Sequence, residues 1–139
     1  MATPFMNNFT KKIDFLKIIG SDKVKHGEET LLDHLIYTHD ILQKLGEEQF
    51  LLDAGLFHSV YGTAYFMPEV GLIDNRQVVI DLIGEQAEEI VYWFCILVNP
   101  RLPEINKFEE PLKSNLLKLY VANSEAQKKM MTWEEAYDL

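Results

Sequence analysis

The sequence predicts an all-α fold: a single compact bundle of about five to seven helices over residues 1–139. Three observations predict it. Apolar residues recur at helical spacing along almost the whole chain. Glycine and proline fall where those patterns stop. The one β-branched stretch, Gln77 to Ile80, is too short and too well embedded in a helical pattern to form a strand. No repeat, low-complexity tract or long linker divides the chain.

The first helix is expected from Asn8 to Ile19, with Phe9, Ile13, Leu16 and Ile19 on one stripe and Gly20 as its end. Thr30 followed by Asp33 reads as a capping box opening the second helix, and Gly46 is placed to close it. Leu31, Leu35, Thr38, Leu42 and Leu45 keep helical spacing between them. A third helix, Glu47 to Val60, is apolar on most sides, which predicts a central, buried position. After a loop with Pro68 and Gly71, a short helix from Asn75 to Ile83 is expected, with Asp74 as its cap. Gly84 breaks that pattern, and a further helix runs from Glu85 to Val98, stopped by Pro100. Arg101 to Glu110, with Pro103 inside and Pro111 just beyond, reads as loop. The last long helix spans Leu112 to Lys129, and Trp133 to Tyr137 reads as a short terminal helix.

Composition narrows the function classes. Hydrophobic residues make up 47% and charged residues 25%, so the chain holds enough apolar surface to fold and is not a disordered segment. Net charge is −9, with 13 Lys and Arg against 22 Asp and Glu, which predicts repulsion from nucleic acid. The single cysteine, Cys95, allows no internal disulfide and suits a reducing compartment. It sits in the apolar run Ile90 to Val98, where a thiol is a small core group. That run is too short to cross a bilayer, and Met1 to Thr10 lacks the pattern of a secretory signal. The expected location is the cytoplasm, with no membrane partner.

Four histidines are present: His26, His34, His39 and His58. His34 shares the core-facing stripe of the second helix with Leu31, Leu35, Thr38 and Ile41. His39 lies about 140° further around and should face elsewhere. His58 follows Leu51, Ala54 and Gly55 at helical spacing on the helix read as central. Two histidines on neighbouring antiparallel helices can meet inside the domain. Spacing leaves two readings open: a pair of core imidazoles satisfied by hydrogen bonds, or a binding site. Two charged imidazoles would repel, so the pair requires neutral tautomers or a metal.

The run His34-Leu35-Ile36, then Asp53-Ala54-Gly55-Leu56-Phe57-His58-Ser59 after a short loop, resembles the HD-domain metal-dependent phosphohydrolases. Within these it is most similar to the hydrolase domain of guanosine tetraphosphate synthetase/hydrolases, where an early His precedes a helix ending "AALLHD". The stretch Ile83 to Val91 is similar to their "FG-x-x-V-x-x-L-V" helix, and Leu119-Tyr120-Val121-Ala122-Asn123 stands where "L-A-D" supplies the last metal ligand. Leu31 to Leu35 together with Ala54 to Thr63 (AGLFHSVYGT) also resembles a small group of HD-like helical proteins. The likeness runs in order over about residues 26 to 127.

The resemblance implies a central His-lined pocket holding a divalent metal (Zn, Fe or Mn) and a small phosphorylated ligand. Its metal ligands would be His34 and His58, with His26 as a third imidazole from the loop before Thr30. Two expected carboxylates are replaced: the His-Asp pair becomes His58-Ser59, and the last Asp becomes Asn123. The acidic residues after the pair become Tyr61-Gly62-Thr63. Ser59 and Asn123 therefore stand in supporting positions, and Tyr61 and Thr63 near the pocket. Losing both anions weakens a site for Mn²⁺ or Mg²⁺, while imidazoles still suit Zn²⁺ or Fe²⁺. Three functions remain: a weak or altered phosphohydrolase, an inactive pseudoenzyme acting as a binding or interaction module, and an HD-type oxygenase, which would need more ligands than the sequence offers. Glu85, Glu88 and Glu89 read as a solvated face. No phosphate-cradling Gly-rich loop, nucleophile elbow or cysteine pair is present.

Overall fold

The computed structural model describes residues 4–26, 28–62, 71–97 and 100–130, with the side chains of 4–7, 26, 129 and 130 outside that description. The described residues are mostly helical: α1 (Pro4–Ile18), α2 (Leu31–Lys44), α3 (Gln49–Phe57), α4 (Arg76–Ile96), α5 (Arg101–Ile105) and α6 (Leu112–Met130). A two-residue antiparallel pair, β1 (Lys25–His26) with β2 (Glu29–Thr30), bridges α1 and α2. Helical spacing does not announce so short a pairing. Among the described residues, no helix is long and apolar enough to cross a membrane.

The α2 start follows the sequence closely. Thr30 accepts a hydrogen bond from the Asp33 amide, and the Asp33 carboxylate accepts one from the Thr30 amide, the reciprocal capping box. At the other end Gly46 takes a left-handed φ of 75°, which a glycine adopts without the Cβ penalty, and the Gly46 and Glu47 amides bond back to Gln43 and Leu42.

α3 is buried at every position from Leu51 to Phe57, as expected of a helix apolar all round. It is shorter than Glu47 to Val60, because the chain tightens into successive turns at His58, with the Val60 amide bonding Phe57 and the Gly62 amide bonding Ser59. α2 packs on α3 and α6, and α3 on α4. Leu35, Leu42, Leu56, Phe57, Phe94, Leu116 and Leu119 are fully buried where these helices meet.

Gly55 lets α2 and α3 approach closely. A Cβ there would sit 2.6 Å from Leu42 Cδ1, inside van der Waals contact. Small residues at helix crossings bring backbones together, and here the closeness carries His34 and His58 toward each other.

Two expectations need correction. Asp74 does not cap α4: it ends a 3-10 turn, Leu72–Asp74, and Asn75 precedes the helix without a side-chain cap bond. The two helices expected on either side of Gly84 are both present as the two halves of α4, divided by the kink at Gly84, whose φ of 86° and ψ of 163° are not helical. Arg101 to Ile105, read as loop, is helical. Pro103 is its third residue, in the first turn, where backbone amides have no intrahelical partner to lose. Trp133 to Tyr137 lies outside the described residues.

Candidate functional site

His34 on α2 and His58 just past α3 face each other in the core, 1% and 4% exposed. Their Nε2 atoms are 3.3 Å apart, and the rings meet edge-on with centroids at 5.1 Å. Asn123 on α6 brings its Oδ1 to 2.7 Å from His34 Nε2 and is itself 6% exposed. Three helices thus deliver three polar side chains to one buried point, where the Phe94 ring meets that of His58 edge-on at 5.6 Å.

The tautomer of His58 follows from its neighbours. Its Nδ1 lies 2.7 Å from the Gly55 carbonyl, which can only accept, so Nδ1 carries the proton when the ring is neutral. The Nε2 lone pair then points at His34. The backbone carbonyl that fixes this orientation is the partner that metal-binding imidazoles ordinarily use on their other nitrogen. Cys95 donates its thiol to the His58 carbonyl at 3.0 Å, tying α4 to the same turn. Burial pushes that thiol up to about 12, so Cys95 is a protonated packing group, as its apolar setting predicts.

Ser59 is 2% exposed, and its Oγ makes no hydrogen bond among the described residues. Tyr61 turns into a second buried polar group. It donates its hydroxyl to Glu88 Oε2 at 2.6 Å, and Arg76 grips the same carboxylate through Nε and Nη2 at 2.7 Å each. The guanidinium also lies 3.7 Å above the Tyr92 ring. Burial and the Glu88 carboxylate push the Tyr61 hydroxyl well above its ordinary pKa.

The expectation for Glu88 is overturned here. Glu85 and Glu89 are exposed, but Glu88 is 2% exposed. The sequence signal was its place one helical turn before Val91, within the apolar stripe of α4; its partners Arg76 and Tyr61 are set by the tertiary structure. Lys12 and Asp53 form another buried ion pair at 2.8 Å, joining α1 to α3.

His39 does face away from the pair, packing on the Phe9 ring at 5.2 Å beneath α1. Thr63 and the side chain of His26 lie outside the described residues. Among those residues no three His, Cys, Asp or Glu side chains cluster as a metal site. The third donor beside the histidines is an amide.

The donor set fits a divalent cation in one respect that can be checked. Two imidazole nitrogens bound at about 2.0–2.1 Å to one tetrahedral zinc lie about 3.3 Å from each other. The His34–His58 nitrogen separation is 3.3 Å.

Fold and cluster together define a small helical domain built around a buried His–His–Asn group. The chain belongs to the family described as Domain of unknown function (DUF6817), whose model matches residues 15–99. His34, His58, Ser59, Tyr61, Arg76 and Glu88 fall within that stretch, while Asn123 lies beyond it. Searches of curated proteins and of solved structures find no match for the chain.

Proposed function

We propose that this chain is an HD-like domain whose His34–His58–Asn123 cluster binds a divalent cation and a small phosphorylated ligand, with weak or altered phosphohydrolase activity. The observation that supports this best is the convergence of two Nε2 atoms and one amide oxygen, with His58 already held in the ligating tautomer by Gly55. The neutral donor set favours Zn²⁺ or Fe²⁺ over Mg²⁺, since hard cations want anionic oxygen ligands. His34 and His58 would hold the ion and Asn123 would supply a weak oxygen. A cation held there would polarise a phosphoryl oxygen or acidify a bound water.

Titration of chelator-treated protein with Co²⁺ and Zn²⁺ tests the reading. A Co²⁺ absorption band and a Zn²⁺-dependent rise in melting temperature are expected, and both should disappear in His58→Ala. If neither ion binds the unaltered protein, the reading fails.

A second reading has its own observation. His34 Nε2–H can donate to Asn123 Oδ1 at 2.7 Å while His58 donates to Gly55, so neutral tautomers satisfy the contacts without a metal. In that case the chain is a pseudoenzyme, a binding or interaction module, and shows neither metal uptake nor phosphate-ester hydrolysis.

A further inference from the structure

Arg101 opens α5 and folds back over the end of α4. Its Nε donates to the Phe94 carbonyl at 3.2 Å, and its guanidinium carbon lies 4.3 Å above the Phe94 ring. The same Phe94 ring meets His58 at 5.6 Å. The guanidinium is therefore no further from the His58 ring than those two spacings together. α6 supplies a second link. Tyr120, a neighbour of Arg101, stands one turn before Asn123 and so on the same face of that helix.

The surroundings of Arg101 are unusual for a guanidinium. Among the described residues no carboxylate pairs with it, although the chain carries 22 acidic residues against 13 basic ones. Its Nη1 and Nη2 make no hydrogen bond there, yet neither is sealed from solvent. Burial disfavours its charge, but a guanidinium remains cationic in proteins at any physiological pH. Arg76 is more solvated and still spends Nε and Nη2 on Glu88. The stacking on Phe94 fixes the plane of the Arg101 fork and, among the described residues, leaves its outer edge without a hydrogen-bond partner. A desolvated cation with an open bidentate edge matches a phosphoryl group in charge and shape.

We propose that Arg101 is a phosphoryl-recognition residue: its free edge binds a phosphate group of a ligand whose other end reaches the His34–His58–Asn123 cluster. This rests on the ligand-binding reading above and assigns that ligand a phosphoryl group at Arg101 in addition to the portion that meets the cluster. Asn123 and Arg101 both lie outside residues 15–99. Ligand recognition therefore depends on the C-terminal part of the chain.

The test is calorimetric titration of the full chain with inorganic pyrophosphate, with Co²⁺ present and with chelator. Arg101→Gln should weaken pyrophosphate binding by about tenfold or more, because a charge-assisted bidentate contact is lost. Arg101→Lys keeps the charge without the fork and should fall between the two. The Co²⁺ absorption band should be unchanged in both variants. If Arg101→Gln does not fold, Arg101→Lys carries the comparison alone. Wild-type affinity in the variants, or no pyrophosphate binding by the unaltered chain at millimolar concentration, overturns the assignment. Arg101-dependent pyrophosphate binding without Co²⁺ uptake upholds it while retiring the cation reading. Co²⁺ uptake with binding indifferent to Arg101 does the reverse.

Discussion

Arg76 holds the carboxylate of Glu88 through two nitrogens, each at 2.7 Å, and the two partners are unequally buried: the Arg76 side chain is 37% exposed and that of Glu88 2%. The pair is therefore asymmetric under mutation. Arg76→Gln strands a buried carboxylate with only Tyr61 to answer it, and should cost about 2–3 kcal/mol, less than a fully buried pair because water already screens the arginine. Glu88→Gln keeps an acceptor for Tyr61 and leaves Arg76 partly hydrated, so it should cost less, about 1 kcal/mol. Urea midpoints of both variants measure this, and the reverse order would show that Arg76 does not neutralise Glu88.

Gly55→Ala tests the close approach of α2 and α3. Alanine improves helix propensity by about 1 kcal/mol, but its methyl would meet Leu42 Cδ1 at 2.6 Å. Leu42 is fully buried, so moving its Cδ1 displaces packed neighbours and overpacking should prevail, with a net loss of about 1 kcal/mol. A stabilised variant would mean that Leu42 re-seats freely.

The pH dependence of stability should carry a mark of Cys95. Its folded-state pKa, about 12, lies above its ordinary value of 9.0, so between those values the native state holds a proton that the unfolded chain has released. Stability from this group is intact below pH 9.0 and is lost as pH rises toward about 12. Tyr61 shifts in the same direction and adds to the loss above its ordinary 10.0. Denaturant midpoints from pH 8 to 10.5 should fall, less steeply in Cys95→Ala than in the unaltered chain. Equal slopes would exclude the thiol as a contributor.

Restoring carboxylates should separate the two functional readings. Asn123→Asp places an anion 2.7 Å from His34 Nε2 and should increase the Mn²⁺-dependent rise in melting temperature over the small rise expected of the unaltered protein. Ser59→Asp added to it should increase the rise further only if the Ser59 side chain can turn toward the histidines. No gain in Mn²⁺ response from Asn123→Asp would show that the cluster does not open to a cation. Efficient Mn²⁺-dependent phosphate-ester hydrolysis by the unaltered chain would overturn the view that the lost carboxylates weaken the site.

Much of the fold can be read from the sequence because its signals are local. The Thr30–Asp33 capping box, the Gly46 terminus, the all-round apolar face of α3 and the break at Gly84 each depend on residues within one or two turns, and each appears where expected. Helical spacing likewise turned His34 and His58 inward. Local signals misled where a rule has a positional exception. Pro103 breaks a helix interior but not a first turn, and Glu88 is charged yet stands within an apolar stripe.

The sequence by itself therefore determined the all-α class, the burial of the two histidines and the absence of an internal disulfide, because periodicity, capping and residue counts are properties of the chain alone. Only the tertiary structure decided which partners meet. The 3.3 Å contact of His34 with His58, the arrival of Asn123 from α6, the Arg76–Glu88–Tyr61 group and the stacking of Arg101 on Phe94 all join residues from different elements. The physical reason is that a side chain's direction around its helix follows from spacing, whereas the distance between two helices is set by side-chain volume at their crossing. Here that volume is least at Gly55, which brings α3 against Leu42 of α2.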